Sequence, residues 1–230
     1  MVATDSFVFL HLHKSGGTFV NEWLRRFFPS ARLLGYHLPR RLIPADFARL
    51  PVIGLVRNPW SYYVSWYAFQ SGMDRPNPLF RILSENRQLD FEGTIRNMLQ
   101  LGNGGAHLDA LVAALQPTYG NRGLNLPGRE LAAIRGTGLG FYSFLYRYMY
   151  SGDGPTQIAR MERMRDELPP MLSALGAAIS PAAASHLAAA PATNTSAHAD
   201  YAEYYGSELR DLVAERDAQI IAQYGYGFGA

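Results

Sequence analysis

The sequence predicts an α/β fold with a central parallel sheet flanked by helices, and three observations carry that prediction. A short apolar run ends in a glycine pair and passes directly into an amphipathic helix. A second strand-to-helix unit of the same kind follows, and such alternation sets strands side by side in a parallel sheet whose ligands lie beyond the carboxyl ends. Finally, 230 residues with 48% hydrophobic content can bury one sizeable core, so a single domain over 1–230 is expected.

Residues 6–12 are rich in Phe, Val and Leu and suit a buried strand, which Ser15, Gly16 and Gly17 terminate. From Thr18 onward, Phe19, Val20, Trp23, Leu24, Phe27 and Phe28 recur at helical spacing, with Asn21, Glu22, Arg25 and Arg26 on the other side. Residues 51–56 read as the next buried strand. Asn58 then serves as N-cap and Pro59 as first helical residue, with Tyr63, Val64 and Tyr67 lining one face. The stretch 75–154 is less regular, with helices expected near 91–101 and 108–115. Residues 158–161 suggest another strand, followed by a helix through Leu175; 177–192, rich in Ala and Pro, reads as a helix with a linker. Ser207 is expected to cap a final helix carrying Leu209, Val213, Ile220 and Tyr224 on one face.

Several function classes fall away on composition. The chain has no cysteine, which excludes disulfides, thiolate metal ligands and a thiol nucleophile, and its six His residues contain no HExxH pattern. A formal net charge of +2 does not mark a nucleic-acid binder. No stretch approaches the roughly 18 apolar residues of a membrane span. The opening MVATDSFVFLHLHKSGG reads as a strand entering a loop rather than a signal peptide, which gives the expectation of a soluble cytoplasmic protein.

Two motifs carry chemistry. In HLHKSGGT a strand runs through a glycine turn into a helix N-terminus, which presents backbone N–H groups and a positive dipole end to an anion. Lys14 adds a mobile charge, Ser15, Gly16 and Gly17 bring the backbone close to phosphate or sulfate oxygens, and Thr18 offers a hydroxyl from the first turn. A Walker A loop has its Lys after the second glycine, whereas Lys14 precedes both, so a magnesium nucleoside triphosphate fits less well. A glycine pair can also simply end a strand. In LVRNPWSYYVSWY, Arg57 follows the strand and Ser65 lies about two turns into the next helix, with Ser61 one turn earlier on the same face. Together an Arg fork and a helix hydroxyl can hold one phosphate; equally, Arg57 could pair with a carboxylate.

With both motifs present, the sequence resembles the PAPS-dependent sulfotransferases, especially the carbohydrate branch that includes heparan sulfate 2-O-sulfotransferase and its bacterial relatives. The first loop is similar to that family's 5′-phosphosulfate loop, HxPKTGGT or HKTGGT. The second is similar to its 3′-phosphate motif RNPxxRxxSxY, with Arg57 and Ser65 eight positions apart. ARMERMRDELPPMLSALG resembles the family's strand and helix with a buried Glu, here Glu162. The tail resembles its NxS segment, final helix and GYxF ending. Tyr62 and Tyr63 depart from the pattern, standing where many members carry Asp and Arg. The resemblance implies a P-loop-like three-layer fold and 3′-phosphoadenosine 5′-phosphosulfate (PAPS) as co-substrate. It also implies nucleotide contacts from Asn194 and Ser196 of the NxS segment.

Sulfuryl transfer needs in-line attack by a hydroxyl, neutralisation of the departing oxygen and removal of the acceptor proton. The sulfuryl group carries less charge than a phosphoryl group, so Lys14 and backbone amides suffice without a metal. For the base, His37 in LLGYHLPRR is chosen, because His titrates near neutrality and lies between the motifs. The resemblance agrees, implying a His after the next strand. His11 and His13, alternating along the strand and expected on opposite faces, are weaker candidates. Arginines and tyrosines in the middle stretch lean towards a glycan or glycolipid acceptor. A small-molecule or nucleotide kinase and a non-catalytic nucleotide-binding protein of the same fold remain as alternatives.

Overall fold

Short strands far apart in sequence assemble one sheet. In the computed structural model, β1 (Val2–Ala3), β2 (Val8–Leu10), β3 (Arg32–Leu33), β4 (Val52–Val56) and β5 (Thr156–Arg160) form a five-stranded sheet in the order β3-β1-β2-β4-β5. The three strands anticipated from the sequence, β2, β4 and β5, run parallel, with Val8 opposite Val52 and Val52 opposite Thr156. The other two, β1 and β3, add an antiparallel margin. They are two residues long and carry no alternation to detect.

The structure describes residues 1–120, 123–191 and 199–229. Its helices are α1 (Gly17–Phe27), α2 (Pro59–Ser71), α3 (Pro78–Leu83), α4 (Phe91–Leu99), α5 (Ala106–Ala114), α6 (Gly128–Leu131), α7 (Phe141–Tyr150), α8 (Met164–Ala174), α9 (Pro181–Ala189), α10 (Ser207–Arg216) and α11 (Ala218–Tyr224). Two compact units emerge. One holds the described residues of Met1–Arg57 and Tyr146–Thr195, the other those of Asn58–Leu145 and Ser196–Ala230.

The first unit contains the whole sheet. Phe7, Phe9, Ile53, Leu55 and Ala159 share a core with Trp23 and Leu24 of α1, Leu168 and Leu172 of α8, and Ala183 and Leu187 of α9. Apolar residues at helical spacing gave α1 its buried stripe, and Trp23 anchors it further by donating its indole N–H to the Ala183 carbonyl at 3.0 Å. The carboxylate expected to be buried at Glu162 is exposed in a 3-10 turn. Glu167, on α8, accepts from the Arg160 backbone N–H at 2.7 Å and from Arg160 Nε at 2.8 Å.

On the opposite sheet face, Tyr150 of α7 packs over Gly54 and ends the β2–β4 pairing. Its hydroxyl donates to the Leu55 carbonyl at 2.9 Å and accepts from the Leu55 N–H at 3.2 Å, while lying 3.5 Å from the Leu10 carbonyl. Leu10 and Gly54 are the last paired residues, so the hydroxyl stands where the next rung would form and the two strands part. A methyl group at Gly54 would overlap the Tyr150 ring. Gly54→Ala is therefore expected to cost about 1–3 kcal/mol, the range for overpacking, measured by denaturant unfolding against wild type.

The second unit is helical. Asn58 caps α2, its side-chain oxygen accepting from Trp60 N–H at 3.1 Å and Ser61 N–H at 3.4 Å, and Pro59 opens the helix as its spacing predicted. The final helix is two, broken at Asp217, and Ser207 is not its cap. Gly206 holds that position without a side-chain bond, and Ser207 is the first helical residue. Asp217 is fully buried. It accepts from Tyr63 OH at 2.7 Å and from the Ser143 N–H at 2.8 Å, so it caps α7 from a distant helix. Gly140, just before α7, has no room for a side chain because its Cβ would press on that carboxylate. Burial raises the Asp217 carboxyl to about 6, opposed by the bonds from Tyr63 and Ser143.

Candidate functional site

The loop between β2 and α1 is built by two left-handed residues. Lys14 has φ 53° and Gly16 φ 76°, the latter at the N-cap position of α1, where no side chain caps the helix and no acidic residue occupies the first turn. The first N–H groups of an eleven-residue helix therefore face the loop, with no acidic residue in the helix's own first turn. Gly17 is buried for a reason that the sequence did not disclose: any Cβ there would overlap the His11 ring. Ser15 is buried, its hydroxyl donating to the His13 carbonyl at 3.2 Å, and Thr18 is the second residue of α1.

Arg57, immediately after β4, reaches this loop by donating from Nη1 to the Lys14 carbonyl at 3.2 Å. The two cations that the sequence assigned to separate motifs thus meet at one place in the first unit. Burial and the charge of Arg57 lower Lys14 to about 8, an amine poised to gain from a negative ligand.

Three imidazoles gather beside them. His37 Nδ1 lies 2.9 Å from the His11 carbonyl; a carbonyl only accepts, so Nδ1 carries the proton and the neutral ring leaves Nε2 as its acceptor. His13 stacks on His37 with centroids 3.7 Å apart and planes 13° apart, and His11 sits 4.3 Å from His37. His11 and His13 do not lie on opposite faces as alternation suggested, because β2 ends at Leu10 and both follow it in the loop. Asn21, one turn into α1, approaches His11 Nδ1 with its amide nitrogen at 3.0 Å. The sequence placed Asn21 on the polar side of α1, but it is buried, because its amide is drawn in to meet the His11 ring. His37 itself has φ 55°, so two non-glycine residues of the site hold the sparsely populated left-handed region. Burial, then repulsion from His13 and His11, pushes the His37 imidazole well below its ordinary 6.5.

Among the predicted site residues, Lys14, Ser15, Gly16, Gly17, Thr18, His37 and Arg57 share the first unit. Ser65 lies buried on α2 in the second unit. Asn194 and Ser196 lie outside the described residues. No helix among the described residues is long and apolar enough to cross a membrane.

These features define a mixed α/β protein of the P-loop-like class, with a central sheet flanked by helices and a glycine loop at the carboxyl end of a parallel strand. No family model and no curated protein matches the chain by sequence. Among solved structures, the crystal structure of mouse sulfotransferase SULT7A1 complexed with PAP matches 97% of this chain and 89% of that chain, with TM-score 0.51 and 14% identity. The likeness is one of fold: this chain has the sulfotransferase fold.

Proposed function

We propose that this chain is a sulfotransferase that moves a sulfuryl group from PAPS to an acceptor hydroxyl, on a carbohydrate, by metal-free in-line transfer, with both units acting as one catalytic domain. The observation that carries the reading is the meeting of Lys14 and Arg57 at the uncapped N-terminus of α1. Two cations, a left-handed glycine turn and free helix amides answer an anion that bears more than one charged group. The shared fold of a mouse sulfotransferase complexed with PAP supports the same ligand class.

In this reading Ser15, Gly16, Gly17 and Thr18 hold the 5′-phosphosulfate, and Arg57 with Ser65 holds the 3′-phosphate, assisted by Asn194 and Ser196. The acceptor oxygen forms a bond to sulfur as the bond from sulfur to the bridging oxygen breaks. That electron pair stays on the 5′-phosphate of the product, where Lys14 neutralises it. The acceptor proton passes to Nε2 of His37. The arginines and tyrosines of the middle stretch support a glycan or glycolipid acceptor through charge pairing and ring stacking.

Calorimetry with 3′-phosphoadenosine 5′-phosphate and adenosine 5′-phosphate tests the reading. The first is expected to bind far more tightly, and Arg57→Ala is expected to cost about 1.5–3 kcal/mol for it, the range of a hydrogen bond to a charged group. Equal affinity for the two nucleotides would remove the 3′-phosphate assignment.

A further inference from the structure

We propose that His13 is a positioning residue for His37: its ring, stacked flat on the His37 ring, fixes the plane of that imidazole and disfavours an imidazolium charge on both rings at once. The inference rests on the reading of His37 as base and gives a role to a histidine which that reading leaves idle.

The geometry is specific. His37 is held at one edge by its Nδ1–H bond to the His11 carbonyl and on one face by His13, at 3.7 Å and 13°. His11 is itself fixed, its ring filling the space above Gly17 and its Nδ1 meeting Asn21. One edge and one face held together leave Nε2 a single direction, which is what a base needs to meet a hydroxyl at hydrogen-bond range. The titratable groups facing His37 are His13 and His11 from the loop after β2, Tyr36 beside it in its own segment, and the amino group of Met1. None of these is a carboxylate. Among the described residues, an imidazolium on His37 would therefore face neutral or cationic neighbours, with the ring of His13 stacked on it. Replacing His13 by a ring that cannot titrate keeps the stack and removes that neighbour's charge.

The experiment follows His37 directly by nitrogen-15 NMR titration of the imidazole in the full chain, alongside kcat as a function of pH, for wild type, His13→Phe and His13→Ala. In wild type His37 is expected to titrate well below 6.5. In His13→Phe its midpoint is expected to rise but to stay below 6.5, because burial, the larger cause of the lowering, remains; kcat near neutral pH is preserved within several-fold because the ring plane survives. In His13→Ala the midpoint rises too, and kcat falls about 10- to 100-fold because the plane is lost. An unchanged His37 midpoint in folded His13→Phe overturns the proposal, and so does a wild-type midpoint at 6.5. If His13→Ala does not fold, the Phe variant decides by itself. A midpoint that rises while the acid limb of kcat stays in place supports the imidazole pairing and instead removes His37 from its role as base.

Discussion

His37→Ala is expected to lower kcat by about 100- to 10,000-fold, the contribution of a positioned general base, while donor affinity stays close to wild type. The separation follows from the geometry. His37 is fixed by the His11 carbonyl and by the stacked His13, whereas the groups proposed to bind the donor are the loop amides, Lys14 and Arg57. Single-turnover transfer assays and calorimetry on the same variant measure the two quantities. The sign of the pH dependence is also set. Because burial and its histidine neighbours lower the His37 pKa, the ring is neutral and able to accept a proton throughout the neutral range. Wild-type turnover should therefore stay flat as pH falls through the ordinary 6.5 of histidine and decline only at more acid values, where His37 becomes protonated. Near-normal kcat in His37→Ala with the native acceptor would assign the base to another group.

Lys14→Ala is expected to lower kcat by about 100- to 1,000-fold, the scale of losing one preorganised donor to developing charge, with a smaller effect on donor affinity. In the proposed mechanism the ammonium matters most when the bridging oxygen takes the electron pair, and the helix amides and Arg57 remain to hold the ground state. Its pKa sets the alkaline side of the profile. With Lys14 lowered to about 8 in the free protein, the charged form is lost as pH rises through that value, so kcat/KM should fall above about pH 8. Bound donor places negative charge beside the amine and favours its protonated form, so the corresponding fall in kcat should lie at higher pH. A variant with unchanged kcat and only weakened donor binding would make Lys14 a ground-state anchor instead.

How far each element was legible depended on whether its cause was local. The three parallel strands, α1 and α2 were readable because burial imposes a period on a short window, and because Asn58 and Pro59 are capping residues wherever they stand before a helix. The loop from Lys14 to Thr18 was readable for the same reason, since a strand, two glycines and a helix are contiguous. What was not readable involved partners far apart in the chain. Asp217 breaks the last helix because its carboxylate is claimed by Tyr63, 154 positions away, and by Ser143, 74 away; within its own window it looks like one more polar residue of a helix. Tyr150 reaches the end of the β2–β4 pairing from 95 positions away in the chain and dictates that Gly54 stay a glycine.

The sequence by itself determined the class of the sheet, and it singled out the two candidate anion-binding motifs and the candidate base, each from residues within one local window. Only the tertiary structure decided how those pieces act on one another. The meeting of Arg57 with the Lys14 carbonyl, the stacking of His13 on His37 and the filling of the space above Gly17 by His11 all depend on loop residues. A loop has no period to announce where its side chains point. Their directions follow from the left-handed turns at Lys14, Gly16 and His37 and from the packing that holds those turns in place, which exist only once the chain has folded.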